Sequence, residues 1–559
     1  MNKEEQVYFA DFETSADNEE AYVYLGYIKS LSGNNKLFFL NIEDMINWLI
    51  NVNKYKNNYV YFHNLTWDGE FIIWWLINNN YIPDQDLMDD YSFSEIVNSM
   101  GNKMEIKVKI KDKYIVFWDS LKLFPFSVDD IGKEIGIPKL NIDHNKIRIY
   151  DNVEQVEQDV IDYVARDVEI IRTKYILYSK NYEIKKTASS SSWNNFKRWY
   201  DNKYSSKDFI LNYSISKNDY DFLLNWYYGG LTIFNQLYIN KEIEDVYYYD
   251  INSSYPSIFS NNNLPYGTML ETKPEGEYIE FVNLTIKNLK IKANNYPVCF
   301  HNIIKNFSNL NSYLSESTDI LNVYYIREEI EVLKNFYDFD IIKEKSYYFK
   351  ADKKLKPYID ELYVLKQTEK DKIARSDHKL ILNSFYGKWG QSYKHSSKKL
   401  IVADELIHKH RYKYGKYVYE KFIEEDNNIY YIPIAICITA FARIKLLEAI
   451  KDNIDNWLYC DTDSIILRKE AKNLKIDESN LGYWKLEGHF KKFKFLKQKC
   501  YILEDQENKL KITAAGINKS AKEKINFSNF QIGNIIEKAN KKKKKIKGGC
   551  IIEEQDTTL

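Results

Sequence analysis

Two acidic motifs on separate apolar strands constrain this chain more than any other feature. Asp250 closes the aromatic run Val246–Asp250, and Asp461 and Asp463 occupy the turn of Trp457–Arg468, whose pattern is that of a β-hairpin. These motifs lie far apart in sequence and can meet only through the fold. If they meet, their carboxylates can hold two metal ions against a triphosphate. After Asp250 the segment Ile251–Pro256 reads as a turn that exposes backbone groups and then Tyr255. Between the two motifs, the predicted helix Asp360–Tyr386 places Lys379, Asn383 and Tyr386 at i, i+4 and i+7 on one face, with Lys366 farther up the same helix. Lys379 suits a phosphate, and Tyr386 suits the face of a base or sugar.

A second acidic set lies near the N-terminus. Alternation along the strand ending at Asp11-Phe12-Glu13-Thr14 puts both carboxylates on one face and Phe12 on the other. Asp68 follows another apolar strand, and Tyr163 and Asp167 share a face of the predicted helix Val156–Leu177. Four carboxylates from three segments, with a Tyr one turn from the last, fit a two-metal nuclease in which Tyr163 orients water. His63, Asn64, Trp67, Phe71 and Ser120-Leu121 around them suit a single strand. Each fragment alone is ordinary: a strand-end Asp is more often a turn or cap residue, a helical Lys a solvated one, and Trp67 and Phe71 are as readily core. The ordered set carries the weight.

Length and composition bound these readings. A chain of 559 residues, at about 100–200 residues per domain, makes three to five domains and excludes a small binding module. With 44% hydrophobic and 28% charged residues it is globular, not disordered. The longest apolar stretches, Phe71–Ile77 and Ile432–Ala442, are too short to span a bilayer, so no membrane partner is expected. Acids stand where a signal peptide would carry basic residues, and the five cysteines form no CxxC pair, so the expected setting is cytoplasmic, with neither a zinc site nor a disulfide framework. The net charge of −1 conceals an acidic N-terminal hundred residues and a Lys-rich C-terminal portion. The run Lys541–Lys547 reads on its own as a solvated tail, and the serine-rich Thr187–Trp193 as a linker.

A DxD turn also occurs in metal-dependent glycosyltransferases, but that reading leaves Tyr249–Pro256, Lys379–Lys388 and the N-terminal acids without a role. The motifs in order resemble the family B DNA polymerases that carry a proofreading exonuclease. The nuclease signatures resemble Asp11-Phe12-Glu13, Asn64–Asp68 and Tyr163–Asp167; the polymerase signatures resemble Asp250–Pro256, with Ser254 where Leu is usual, Lys379–Gly387 and Tyr459–Ser464. Tyr227-Tyr228-Gly229-Gly230, Lys499-Cys500-Tyr501, Ser120-Leu121 and Lys139–Ile142 are similar to the protein-primed branch found in small tailed bacteriophages, with His144 where an aromatic is usual.

That resemblance implies an α+β multi-domain right hand of palm, fingers and thumb joined to an RNase H-like 3′-5′ exonuclease. The implied division is exonuclease at 1–185, palm at 186–259 and 431–528, fingers at 351–390 and thumb at 529–559, with branch-specific insertions at 260–350 and 391–430. It implies that Asp250, Asp463 and the Ile251 carbonyl hold the polymerase metals with Asp461 in support, and that Tyr255 stacks under the incoming sugar. Lys366 and Lys379 would bind the triphosphate, with Asn383 and Tyr386 lining the nascent pair. Asp11, Glu13, Asp68 and Asp167 would hold the nuclease metals, with Tyr163 and Lys139 assisting. Thr14, His63, Asn64, Trp67, Phe71, Ser120, Leu121, Tyr227, Gly229, Gly230, Lys499 and Tyr501 would contact DNA. The implied cofactors are two Mg²⁺ per site, with Mn²⁺ as a substitute. The implied partners are primer–template and single-stranded DNA, dNTPs and a terminal protein primer, acting with a monomer in the bacterial host cytoplasm. An exonuclease with a non-functional polymerase site, a non-catalytic DNA-binding protein and an RNA-synthesising enzyme are the alternatives.

Overall fold

The computed structural model describes residues 6–16, 19–52, 56–143, 146–292, 300–301 and 313–559; His144 lies outside them. Three β-sheets organise the chain. The first has eight strands, with Val7–Ala16 near its centre, antiparallel to Ala21–Ser30 and parallel to Asn58–Phe62, which in turn runs parallel to Lys113–Asp119. Alternation along Val7–Ala16 sends Tyr8, Ala10 and Phe12 into the core beneath the helix Leu65–Asn78, and Phe9 into the core shared with the helix Gln158–Ser179. Asp11 and Glu13 share the Phe9 face and so turn toward that second helix.

The second sheet has seven antiparallel strands. Its central strand, Ile243–Ile251, lies between Trp484–Lys497 and Ser464–Leu467, which forms a hairpin with Trp457–Asp461. The apolar helix Ile432–Asp452, opened by Pro433 in its first turn, packs behind it. A third sheet is built on the long pair Tyr278–Ile291 and Tyr337–Asp352. Among the described residues three strand pairs lie outside these sheets: the short Phe300–His301 with Tyr313–Leu314, Lys394–Val402 with Tyr417–Glu425, and Ile535–Ile546 with Gly549–Thr558. Among the described residues no helix is long and apolar enough to cross a membrane, and Cys437, Cys460, Cys500 and Cys550 are free and buried.

Three expectations are corrected. Thr187–Trp193 is not a linker: Thr187 caps the helix Ala188–Lys203, accepting a hydrogen bond from the Ser190 amide. Its small side chains let this helix lie against Lys372–Trp389, where the Ser192 hydroxyl donates to the Ile381 carbonyl at 2.7 Å. The run Asp360–Tyr386 is two helices, Lys356–Thr368 and Lys372–Trp389, because Asp371 accepts from the Ile373 amide and starts the second. Lys366 therefore belongs to the first helix and Lys379 to the second. Lys541–Lys547 is not a free tail but lies largely within the strand Ile535–Ile546. Strand alternation turns Lys543 and Lys545 toward buried Glu70 and leaves Lys542 and Lys544 exposed.

Candidate functional site

The seven-stranded sheet brings the distant Asp motifs together. Asp250 lies opposite Ser464 in register, and the Ile251 amide donates to the Asp463 carbonyl at 2.8 Å. The turn between the hairpin strands is held from both sides. The Thr462 amide, with its backbone in the left-handed region at φ 57°, donates to the Leu231 carbonyl at 2.7 Å, and the Thr232 hydroxyl donates to Asp461 Oδ1 at 2.7 Å. Burial and then the neighbouring Asp463 push the Asp250 carboxyl up to about 7; burial and Asp461 push Asp463 up to about 6.

After Asp250 the chain turns through Ser253, also left-handed at φ 48°, into the helix Ser254–Asn261 that presents Tyr255. The Tyr255 ring lies 4.6 Å from that of Tyr386, and the Tyr386 and Tyr227 hydroxyls are 2.8 Å apart. Behind them the buried Arg443 guanidinium donates to the Tyr228 and Gly229 carbonyls and pairs with Glu329. Lys379 and Asn383 stand exposed on the same helix as Tyr386. Lys366 approaches from the preceding helix, with Nζ 3.2 Å from Ser253 Oγ, and burial together with Lys379 lowers its pKa. Arg375, one turn before Lys379, adds a cation that motif reasoning missed; its i, i+4 spacing was the available signal. At the other side, the Lys499 amide donates to the Tyr459 hydroxyl at 2.7 Å and Lys499 Nζ lies 3.8 Å from Asp461, while Tyr501 packs inward among Tyr459 and Phe493.

The N-terminal acids meet in a separate cavity of about 500 Å³. Asp11 and Glu13 come from the central strand, Asp68 from the first turn of Leu65–Asn78, and Tyr163 and Asp167 from Gln158–Ser179. Burial and then Asp167 push Asp11 up to about 7. Burial also raises Glu13 and Asp68, with Asp11 the next cause for each. Lys139 pairs with Asp167 and stands 4.7 Å from the centre of the Tyr163 ring. Thr14, His63, Asn64 and Trp67 also line this cavity. The Trp67 indole N–H lies 3.4 Å from the Thr14 hydroxyl, and His63 Nε2 donates to the Phe126 carbonyl at 2.8 Å with Nδ1 3.0 Å from Ser120 Oγ. Burial lowers the His63 pKa to about 4.

Phe71, Ser120 and Leu121 do not line the cavity; Phe71 packs beneath Gly549, and Ser120 is buried under His63. Three contributors escaped the motifs. Asp119 accepts from the amides of Asn64, Leu65 and Leu121, which holds the left-handed turn at Asn64 (φ 75°) that delivers Asp68. Its place at a strand end beside Ser120 was visible but unremarkable. Lys541 and Ile552 reach the cavity from the C-terminal hairpin, a long-range contact that local spacing does not encode.

Each acidic set crowds carboxylate oxygens against burial and like charge, a donor chemistry that hard divalent cations satisfy. Among the described residues no three acidic, imidazole or thiol groups close on a single point, so this fit rests on the donor chemistry.

A multi-domain α+β polymerase with a second carboxylate site is the class that this fold and these residues fit. Residues 50–481 match the family model described as DNA polymerase type B, organellar and viral. The DNA polymerase of Bacillus phage phi29 is 28% identical over 593 residues, covering 99% of both chains. The solved phi29 DNA polymerase complexed with primer–template DNA superposes with a TM-score of 0.87 at 26% identity, covering 99% of this chain and 100% of that one. The phi29 enzyme complexed with single-stranded DNA matches at a TM-score of 0.85, 26% identity and 99% coverage of both. The chain belongs to the type B DNA polymerases and is a metal-dependent DNA-directed DNA polymerase.

Proposed function

We propose that this polymerase extends a 3′-OH with dNTPs at the Asp250–Asp463 site and removes 3′-terminal nucleotides at the Asp11–Glu13–Asp68–Asp167 site. The observation that carries this reading is the register of Asp250 against Ser464, which sets Asp250 beside Asp463 below the Tyr255–Tyr386 ring pair. Asp250, Asp463 and the Ile251 carbonyl would hold two Mg²⁺, or Mn²⁺, with Asp461 anchoring the turn. When bound, these ions supply activation of the attacking hydroxyl and neutralisation of the leaving diphosphate. Lys379 and Lys366 receive the triphosphate, Asn383 and Tyr386 line the nascent pair, and Tyr255 sits under the sugar and excludes a 2′-OH. Lys499 and Tyr501 hold the primer end, and Tyr227 to Gly230 guide the template between the two sites.

At the nuclease site the four carboxylates would hold a second pair of ions, Tyr163 orients water, and Lys139 holds Asp167 in place. Thr14, Asn64 and Trp67 grip the single-stranded 3′ end; His63, Ser120, Leu121 and Phe71 support that wall. The division into exonuclease 1–185, palm 186–259 and 431–528, fingers 351–390, thumb 529–559 and insertions 260–350 and 391–430 accompanies this reading. The insertions would receive a terminal protein whose hydroxyl primes synthesis in the host cytoplasm, and the monomer would displace the strand ahead.

The test is a labelled primer–template with Mg²⁺, with and without dNTPs, beside Asp463→Ala and Asp11→Ala. The expected outcome is extension lost only in Asp463→Ala and shortening lost only in Asp11→Ala. Shortening without extension in the unmodified chain would refute the polymerase assignment of the first site.

A further inference from the structure

The helix Lys372–Trp389, which carries Lys379, Asn383 and Tyr386, is tied to the nuclease domain by a buried ion pair. Lys174 Nζ lies 2.7 Å from Asp377 Oδ1 and 3.0 Å from Glu134 Oε1. The Lys174 and Asp377 side chains are 2% and 1% exposed. Lys174 belongs to Gln158–Ser179, the helix that also carries Tyr163 and Asp167, and at 1.5 Å per residue it stands about 10 Å along that helix from Asp167. Asp377 is two residues before Lys379. The next residue, His378, makes a second tie, its Nδ1 2.5 Å from the Tyr182 hydroxyl. Asp377 Oδ2 has no hydrogen-bond partner among the described residues, so Lys174 is the cation that compensates this buried carboxylate.

Burying two opposite charges is a weak source of stability, because desolvation offsets most of their attraction, whereas their geometry is strict. An apolar pair of the same size would hold the two helices together but would leave them free to slide.

We propose that Lys174, acting through Asp377, is a positioning residue for nucleotide binding: it sets the nucleotide-binding helix in register against the helix that carries the nuclease ligand Asp167. This rests on Lys379, Asn383 and Tyr386 forming the nucleotide-binding face. The pair then couples the two sites mechanically. Its loss lets the Lys379 face drift from the incoming triphosphate while the nuclease carboxylates, on the other side of the strut, keep their places.

The experiment measures dNTP KM and kcat on a primed template, and degradation of a single-stranded oligonucleotide, for the full chain and its variants. Lys174→Met and the double variant Lys174→Met/Asp377→Leu are expected to raise dNTP KM by about tenfold, with single-strand degradation unchanged. The double variant removes both buried charges and so keeps the fold testable if the single one unfolds. Lys174→Arg is expected to restore a KM near that of the unmodified chain. The dNTP concentration at which net degradation gives way to extension should rise with KM. A double variant that retains the thermal midpoint and the original KM would overturn the proposal, as would parallel loss of both activities. Lys379→Ala, run alongside, separates the two levels. An unchanged KM in Lys379→Ala refutes the nucleotide-binding face and the strut with it; a raised KM there with none in the double variant refutes the strut alone.

Discussion

Lys543 Nζ lies 2.6 Å from Glu70 Oε1 across 473 positions of sequence. Glu70 is fully buried and also faces Lys103, Lys545 and the Tyr414 hydroxyl, so the eight-stranded sheet with its helix Leu65–Asn78, the hairpin 394–425 and the C-terminal hairpin converge on one carboxylate. Lys103 extends the network to Glu95 at 2.9 Å and to the Tyr419 hydroxyl at 2.5 Å.

Glu70→Gln is expected to destabilise the protein by about 3–5 kcal/mol at pH 7, because it leaves three ammonium groups facing a neutral amide. The effect depends on pH. Burial opposes ionisation of Glu70, but Lys103, Lys545 and Lys543 outweigh it and hold the carboxyl well below the usual range. The folded pKa is lower than the unfolded one, so the stabilisation is complete above about pH 4.3 and is lost as pH falls through the folded value. Urea midpoints at pH 7 and pH 3 check this; the gap between Glu70→Gln and the unmodified chain should narrow at the lower pH.

Gly230→Ala should impair incorporation. A Cβ there would lie 2.9 Å from Thr462 Oγ1 and 3.1 Å from the Tyr255 hydroxyl, so it presses on the turn between Asp461 and Asp463. Displacing that turn is expected to lower kcat for extension by about 100-fold. Single-strand degradation serves as the control and should be unchanged.

Tyr255→Val should weaken sugar discrimination. Tyr255 is held against Tyr386, which hydrogen-bonds Tyr227, so its ring is a fixed wall. A smaller side chain is expected to reduce the preference for dNTP over NTP by about 100-fold, read as the ratio of the two kcat/KM values.

Deleting residues 395–425 should shorten the products made per binding event on a long circular template. This hairpin bridges to the eight-stranded sheet at Asn98–Ser397 and meets the C-terminal hairpin through Tyr412 and Ile546. Unchanged product length under single-encounter conditions would exclude a closed collar around DNA.

Much of the fold that positions the sites was legible because it rests on local period and punctuation. Alternation marked the strand that ends at Asp11–Thr14, and the turn at Asp461–Asp463 marked its hairpin. What was illegible depends on tertiary partners. Four serines read as a linker until a neighbouring helix supplies the Ile381 carbonyl for Ser192. The break at Glu369–Asp371 carries an N-cap signal, but the apolar pattern runs on across it. Lys543 and Lys545 read as solvated until Glu70 is found opposite them, and Asp119 acts only through the amides it receives from Asn64, Leu65 and Leu121.

The contact of Gly549 with Phe71 has a consequence for biogenesis. Phe71 lies in the core of the eight-stranded sheet, yet the hairpin that covers it is translated hundreds of residues later. The bridge between Glu20 and Lys547 joins the same two parts of the chain. During translation the nascent N-terminal domain must therefore wait with an apolar face uncovered, a surface for chaperones, until the C-terminal hairpin emerges and docks.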